Sequence, residues 1–265
     1  MVKKTVFQGV TLAACFLAAW LAFSQFDFMK LFNAENAGDR TEHKLGKVFW
    51  ESIARGEQVV TNDSINDGVR KLLDRIAERN GIEKDSIKLH IISKDEVNAF
   101  AMPGNHMVVY TGLITESKNE AELAGVLGHE LAHLEKNHVM KKLAKEIGLA
   151  VLLQMATGGQ GSEMVGESVR MLSSSAYDRK LESEADMASV DYLFEAGIDP
   201  RPFADFLYRM AQGADVPQAA YWISTHPESE ARAKAVLRYA AGKKFNREEV
   251  LTGEEWKSIQ QIAAE

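Results

Sequence analysis

The chain has 265 residues, a formal net charge of −7 and one cysteine, Cys15. This length is sufficient for one well-filled core. The acidic balance, without a basic stripe that contains aromatic residues, argues against nucleic acid as a partner. A single cysteine excludes a disulfide framework and a thiolate metal site, so any metal would need histidine and carboxylate ligands.

The first segment is an apolar run from Thr5 to Phe23 that follows two lysines. About 19 residues in a helix can just cross a bilayer, and we expect residues 1–25 to be a signal anchor that binds the membrane. The basic flank places the main domain on the periplasmic or extracytoplasmic side of the cell membrane, as a single-pass protein. Two alternatives stay open: a cleaved signal peptide ending near Ser24, which gives a periplasmic protein, and a lipoprotein at Cys15.

Residues 26–60 form a mixed segment that we interpret as a helical connector lying against the main domain. Asn62 and the residues after it offer caps for a helix that ends at Gly81. The apolar residues of this helix recur at helical spacing, so they are predicted to face the core: Ile65, Val69, Leu72, Leu73 and Ile76.

Three short segments with strand-like patterns predict a small antiparallel sheet. They are residues 87–92, 98–102 and 106–110, with the hairpin signal Pro103-Gly104-Asn105 between the last two. The alternation places His90 on the solvent side. An edge strand of this sheet could pair with an extended polypeptide, which would make a polypeptide substrate the partner.

A long helix is predicted to open at a capping box, Ser117–Glu120, and to run to about Ala144. It contains Gly128-His129-Glu130-Leu131-Ala132-His133. Residues four apart share a helix face, so His129 and His133 can bind one zinc ion. Glu130 is rotated by about 100° and can take a proton from a water on the metal.

A catalytic zinc needs a third protein ligand and an open position for water. Val139 stands where a metzincin has its third histidine, which excludes that class. His138 lies about 140° around the helix from His133 and is predicted to point away from the metal. Glu182 is the better candidate, and Asp186, one turn later, could accept the free N–H of a ligating imidazole. The predicted ligands of one Zn²⁺ per chain are therefore His129, His133 and Glu182.

The remaining segments complete the predicted organisation. Residues 157–162 are glycine-rich and predict a mobile loop over the cleft, and further helices are predicted over 177–196, 202–212 and 227–241. We divide the chain into the N-terminal segment 1–25, the connector 26–60, a zinc metallopeptidase domain over 61–242 and a peripheral C-terminal tail over 243–265.

Four segments taken together resemble the HtpX and CAAX prenyl endopeptidase family: residues 119–138, 182–186, 196–200 and 225–232. With one apolar segment, the chain is more similar to the single-domain periplasmic members of that family, which degrade misfolded or stalled envelope proteins. The resemblance implies an α+β, mainly helical, zincin-like (minigluzincin) domain with a small antiparallel sheet beside the motif helix. It also implies a zinc-dependent metalloendopeptidase acting on unfolded or misassembled envelope proteins.

The resemblance implies roles for three more residues. Asn98 would support the substrate at the edge strand, and Arg232 would brace the site. His226 would lie close to the zinc and either stabilise the oxyanion or occupy the open coordination position.

A function of a different class is a membrane-tethered binding or chaperone module with a structural zinc. Structural zinc sites are usually closed by four protein ligands. Three predicted ligands beside a free Glu130 favour the enzyme, whereas His226 as a fourth ligand keeps the binding module open.

Overall fold

The computed structural model describes residues 37–158, 162–213, 219–243 and 246–265. The apolar run over residues 5–23, with its anchor, signal-peptide and lipobox interpretations, and residues 159–161 of the glycine-rich loop lie outside these ranges. None of the helices in the described ranges is long and apolar enough to cross a membrane, because the longest of them carry several charged side chains. The prediction of a single-pass location in the cell membrane is corrected on this finding.

Helices account for most of the described residues, and the prediction of a mainly helical α+β fold is confirmed. In chain order they are α1 (Ala37–Gly56), α2 (Asp63–Arg79), α3 (Thr111–Glu116), α4 (Glu120–Glu135), α5 (His138–Glu146), α6 (Leu149–Ala156), α7 (Ser162–Ser174), α8 (Arg179–Ala196), α9 (Arg201–Gln212), α10 (Ala219–Thr225), α11 (Ser229–Ala240) and α12 (Gly253–Ala263). A short 3₁₀ helix covers Lys84–Ser86. The described residues from Thr41 onward form one compact unit.

The sheet has three strands, β1 (Lys88–Ile92), β2 (Ala99–Met102) and β3 (His106–Tyr110), in the order β1-β3-β2. The predicted hairpin is present, since β2 and β3 pair antiparallel. However, β1 pairs with β3 in parallel, so the sheet is mixed and not purely antiparallel. The connection after β1 carries the chain to the far side of β3, so β1 and β2 are the two edge strands. Beyond β1, Val59 forms an isolated antiparallel bridge with Ile92.

The side chain of His90 does not simply face solvent, as the alternation of β1 predicted. It is partly buried, stacks on Trp50 of α1 with ring centroids 3.5 Å apart, and places its Nε2 2.8 Å from Nδ1 of His106. Burial lowers the pKa of His90 to about 4 and that of His106 to about 3. This histidine pair therefore joins α1 to the sheet as a neutral contact.

Helix α2 forms one wall of the core. Its cap is Asn62, whose side-chain oxygen accepts the N–H groups of Ser64 and Ile65. The predicted apolar stripe is buried along its whole length. Against the same helix lies α12, which buries Trp256 and Ile259.

Helix α4 lies at the centre of the fold, and every residue from Glu122 to Leu134 is buried. The helix begins after Asn119, whose side-chain oxygen accepts the N–H of Glu122 at 3.0 Å. The predicted capping box that begins two residues earlier, at Ser117, is wrong, because the Ser117 hydroxyl donates to the Leu113 carbonyl of α3. The motif helix is thus enclosed on all sides.

Two glycines allow the neighbouring helices to approach α4 closely. A Cβ atom at Gly125 would lie 2.3 Å from the Cβ of Phe203 in α9, and one at Gly128 would lie 2.8 Å from the Ser189 hydroxyl in α8. The same Ser189 hydroxyl donates to the Gly125 carbonyl at 2.8 Å. These contacts set the distance between α4 and α8, the two helices that carry the predicted metal ligands.

We predict opposite effects of the same substitution at two helical glycines. Gly125→Ala should destabilise the fold by about 1–3 kcal/mol, since the added methyl group overpacks against Phe203. Gly166→Ala in α7, where nothing lies within 4 Å of the added atom, should stabilise it by about 1 kcal/mol through helix propensity. Urea unfolding of the two metal-free variants measures both values, and an equal shift in both would contradict the close approach of α4 and α9.

Candidate active site

Four buried side chains converge at the centre of the molecule. His129 and His133 come from α4, Glu182 comes from the first turn of α8, and His226 follows α10 directly. One donor atom from each lies within 4.8 Å of the others. The two histidine Nε2 atoms are 3.0 Å apart, and the carboxylate oxygens of Glu182 lie 3.5 Å from His133 Nε2 and 3.6 Å from His129 Nε2.

Local structure explains how His226 reaches this group. Its N–H donates to the Trp222 carbonyl at 2.7 Å, which continues the last turn of α10. Its ring stacks on the buried Trp222 ring with centroids 4.1 Å apart. Its Nδ1 lies 3.1 Å from Glu182 Oε2. The histidine is therefore held in the group by packing and by a hydrogen bond to a ligand.

The donor set fits a metal ion. Three buried atoms that face one another have no protein hydrogen-bond partner: Glu130 Oε1, Glu182 Oε1 and His226 Nε2. Buried polar atoms without a partner are costly, and a cation bound by Glu182 and His226 would satisfy the lone pairs of those two residues. Imidazole and carboxylate donors together are typical ligands of divalent metals in hydrolytic sites. The group, called the metal-binding group below, can therefore hold a divalent metal ion.

A buried ion network supports two of the predicted ligands. Asp186 Oδ1 lies 3.0 Å from Nδ1 of His129, on the side of the ring away from the other donors. Arg232 binds both oxygens of Asp186 at 2.7 and 2.8 Å, and its Nη1 lies 2.6 Å from Glu182 Oε2. One guanidinium thus contacts two carboxylates of the same helix.

The contacts within this network determine whether Glu182 and Asp186 are ionised. Burial opposes ionisation of Glu182, but its contacts with His226 and with the guanidinium of Arg232 hold its pKa well below the usual value. Burial likewise opposes ionisation of Asp186, and Arg232 again lowers the pKa. Both carboxyls are therefore ionised at neutral pH, as a ligand and its supporting group must be.

Glu130 lies between the metal-binding group and the sheet. Its Oε2 accepts the N–H of Ala101 in β2 at 3.0 Å, and its Oε1 lies 3.5 Å from Nε2 of His226. The side chain is fully buried, and burial raises its pKa to about 7. A carboxylate with this pKa can both accept and return a proton near neutral pH.

The position of Asn98 differs from that of the other predicted site residues. It is buried just before β2, and its amide donates to the Ser173 carbonyl at the end of α7 at 3.0 Å. The structure therefore places it against α7, outside the metal-binding group. Its role in supporting a substrate stays a prediction.

Two residues contact His133 in a way that was not predicted from the sequence. His138 is not among the donors of the metal-binding group, in agreement with the prediction that it points away from the metal, but its contact with His133 was not predicted. The predicted long helix is broken, because α4 ends at Glu135 and Asn137 adopts the left-handed conformation with φ of 55°. This break places Nδ1 of His138 3.1 Å from Nδ1 of His133. Asn137, a residue that tolerates this conformation, was the available signal.

The second missed residue is Tyr177, whose ring stacks on His133 with centroids 4.0 Å apart and an interplanar angle of 20°. Just before it, the Ser175 carbonyl accepts a hydrogen bond from the buried ammonium of Lys142, which also lies over the Tyr177 ring. Nothing in the spacing of the sequence indicated this contact.

The described residues thus form a mainly helical domain in which a central helix supplies two histidines, and a neighbouring helix a glutamate, to one buried group that can hold a metal ion. The model of peptidase family M48 matches residues 64–240. The chain belongs to peptidase family M48, and the predicted family resemblance is confirmed.

Several curated relatives match much of the chain. The mitochondrial metalloendopeptidase OMA1 of Arabidopsis thaliana is 29% identical over 185 residues, 70% of this chain and 38% of the relative. That of Schizosaccharomyces pombe is 30% identical over 186 residues, 68% of this chain and 54% of the relative. The beta-barrel assembly-enhancing protease of Escherichia coli is 25% identical over 207 residues, 72% of this chain and 42% of the relative. The matches thus span between 38% and 54% of the lengths of these relatives.

Proposed function

We propose that the protein is a zinc-dependent endopeptidase that hydrolyses peptide bonds of unfolded or misassembled polypeptides. The observation that carries this proposal is Glu130, a buried carboxylate beside the metal-binding group with one oxygen lacking a protein hydrogen-bond partner. Hydrolysis needs a base at this place, whereas a structural metal site has no use for it. The name of the beta-barrel assembly-enhancing relatives supports envelope proteins as the substrate class.

Zinc is the metal that suits this donor set best. Three ligands drawn from histidine and glutamate are typical of catalytic zinc in hydrolases, and His129, His133 and Glu182 would supply them. When bound, zinc polarises the scissile carbonyl and lowers the pKa of water in its open position towards 7.

Glu130 would perform the proton transfers. Because its Oε2 is held by the N–H of Ala101, its Oε1 is the oxygen that accepts a proton from the attacking water. The same carboxyl then donates this proton to the nitrogen of the leaving amine as the peptide bond breaks. Its pKa of about 7 suits both steps.

Replacing the base tests this mechanism. Glu130→Gln should lower the rate of casein cleavage by about 10²–10⁴-fold, because the amide cannot accept the proton. The zinc content should not change, since Glu130 is not among the four donor residues of the metal-binding group. Elemental analysis and a cleavage assay on the same sample give both results, with a chelator-treated wild type as the control. Activity retained in the variant would refute the proposed mechanism.

For His226, the contacts support the role of a fourth metal ligand in the resting enzyme. Its Nδ1 donates to Glu182 Oε2, which leaves a lone pair on Nε2, and this atom has no partner. Burial lowers the pKa of His226 to about 4, so the ring is neutral and Nε2 carries no proton for an oxyanion. We therefore propose that His226 must leave the fourth position before water can enter it.

This role predicts a gain of activity on removal of the imidazole. His226→Ala should raise kcat/KM for an unfolded substrate while weakening zinc binding, because three ligands and an open position remain. Zinc titration and casein cleavage measure the two quantities. A fall in kcat of about 10²-fold with zinc bound would instead assign an oxyanion role to His226. Zinc-loaded protein without activity in either form would support the binding module with a structural metal.

Substrate would bind along β2 in the extended conformation. In an antiparallel pair, alternate residues bond to the partner strand and the others point their N–H and C=O groups outward. Tyr110 donates to the Asn98 carbonyl, and Ala101 donates to Glu130, so the backbones of Ala99 and Ala101 face the side of β2 away from β3. An unassembled β-strand of a misassembled barrel could pair there, after displacing α7 from β2.

A proline at the outward position tests this binding mode. Ala99→Pro removes one outward N–H without breaking the bonds to β3, and proline is tolerated in edge strands. We expect KM for unfolded substrate to rise by about 2–10-fold, the value of one hydrogen bond, with kcat less affected. Ala99→Ser, which keeps the N–H, is the matched control. An equal KM in both variants, or equal cleavage of the folded and unfolded forms of one protein, would contradict edge-strand binding.

A further inference from the structure

One buried histidine contacts a metal ligand and has no part in the proposed reaction. His138, the first residue of α5, is fully buried and places its Nδ1 3.1 Å from Nδ1 of His133. Because His133 directs its Nε2 towards Nε2 of His129 and the carboxylate of Glu182, Nδ1 is the nitrogen that it keeps free. The contact with His138 is therefore on the side of the ring opposite the metal.

The protonation of the two rings follows from this geometry. A histidine that ligates through Nε2 has its proton on Nδ1, so Nδ1 of His133 must be the donor. Nδ1 of His138 must then be the acceptor, which leaves the proton of a neutral His138 on Nε2. That atom is buried and faces the Glu184 carboxylate at 3.4 Å. Each N–H in the series His133, His138 and Glu184 therefore points the same way: His133 donates to His138, and His138 directs its N–H towards Glu184.

We propose that His138 is a positioning residue for the metal: it holds His133 in the tautomer and orientation that ligate through Nε2, and Glu184 fixes the tautomer of His138. This inference rests on the proposed zinc site and adds a supporting residue for its second histidine. It gives each ligating imidazole its own acceptor, Asp186 for His129 and His138 for His133.

The two acceptors differ in charge. Asp186 is ionised and bound by Arg232, whereas His138 is an uncharged ring. A second buried carboxylate at this place would have required another buried cation. The only carboxylate in the His133 series, Glu184, has a side chain that is 41% exposed, so its charge is partly solvated. His138 thus orients the ligand without adding buried charge.

Zinc affinity tests the proposal independently of catalysis. Wild type, His138→Leu and His138→Asn of the full chain would be titrated with Zn²⁺ in competition with a chromogenic chelator. Leucine removes the acceptor, and loss of such a partner lowers metal affinity by about 10–100-fold. Asparagine can place its side-chain oxygen near the position of Nδ1, so it should restore most of the affinity. His106→Leu, which removes a buried histidine from the distant His90–His106 pair, should leave zinc affinity unchanged.

A second pair of variants covers the case in which leucine prevents folding. Glu184 is partly exposed, so its substitution leaves the core intact. Glu184→Ala removes the group that holds the proton on Nε2 of His138 and should weaken zinc binding, whereas Glu184→Gln keeps an acceptor and should not.

The outcomes separate this inference from the proposed function. Wild-type zinc affinity in folded His138→Leu, or in Glu184→Ala, would overturn the positioning role while leaving the metallopeptidase intact. Equal losses of zinc affinity in the leucine and asparagine variants would also overturn it, because the loss would then come from altered packing and not from the missing hydrogen-bond acceptor. A wild-type chain that binds no zinc would refute the proposed function itself.

Discussion

The guanidinium of Arg232 is the interaction on which the site depends. Glu130, Glu182 and Asp186 place three carboxyls in the interior, and Arg232 is the cation that contacts two of them. Ionised carboxylates in a dry interior are unstable unless they are paired and hydrogen-bonded. Arg232 provides this pairing for Glu182 and Asp186 before any metal arrives, so the ligand carboxylate is ionised in advance. Glu130 lacks such a partner, and its higher pKa follows from that difference.

Helix packing determines where the predicted metal ligands lie. The close approach at Gly128 and the hydrogen bond from Ser189 to the Gly125 carbonyl put α8 against α4, and the first turn of α8 then brings Glu182 to the two histidines. Because the contact atoms are backbone and small side chains, the separation of the helices has little freedom. The site is therefore positioned by rigid elements, whereas its fourth donor, His226, comes from the end of a short helix.

Much of the site could be predicted from local spacing. His129, Glu130 and His133 share one helix, and the relation of Glu182 to Asp186 is again four residues, so helical periodicity was sufficient to group them. The fold class and the β2–β3 hairpin also follow from local patterns. The parallel pairing of β1 could not be predicted in this way, because it depends on where the chain returns after leaving the strand.

Predictions of site residues failed in two situations: where a helix ends, and where segments distant in sequence come into contact. His138 was placed by continuing α4 beyond Glu135, and one left-handed residue, Asn137, made that extrapolation wrong. Tyr177 and Trp222 reach the site from segments that are distant in sequence, and no periodicity connects them to it. Contacts within one helix or strand can be predicted from its periodicity, whereas contacts between elements can be seen only in the tertiary structure.

The burial of α4 from Glu122 to Leu134 affects how fast a metal ion can bind and dissociate. The donor atoms are enclosed by α8, by the Tyr177 ring and by the Trp222–His226 stack, so an ion cannot enter or leave while these neighbours are in place. Exchange of the ion then requires a local opening, and its rate is set by the free energy of that opening as well as by affinity. A site of this kind retains its metal kinetically, even where free metal is scarce.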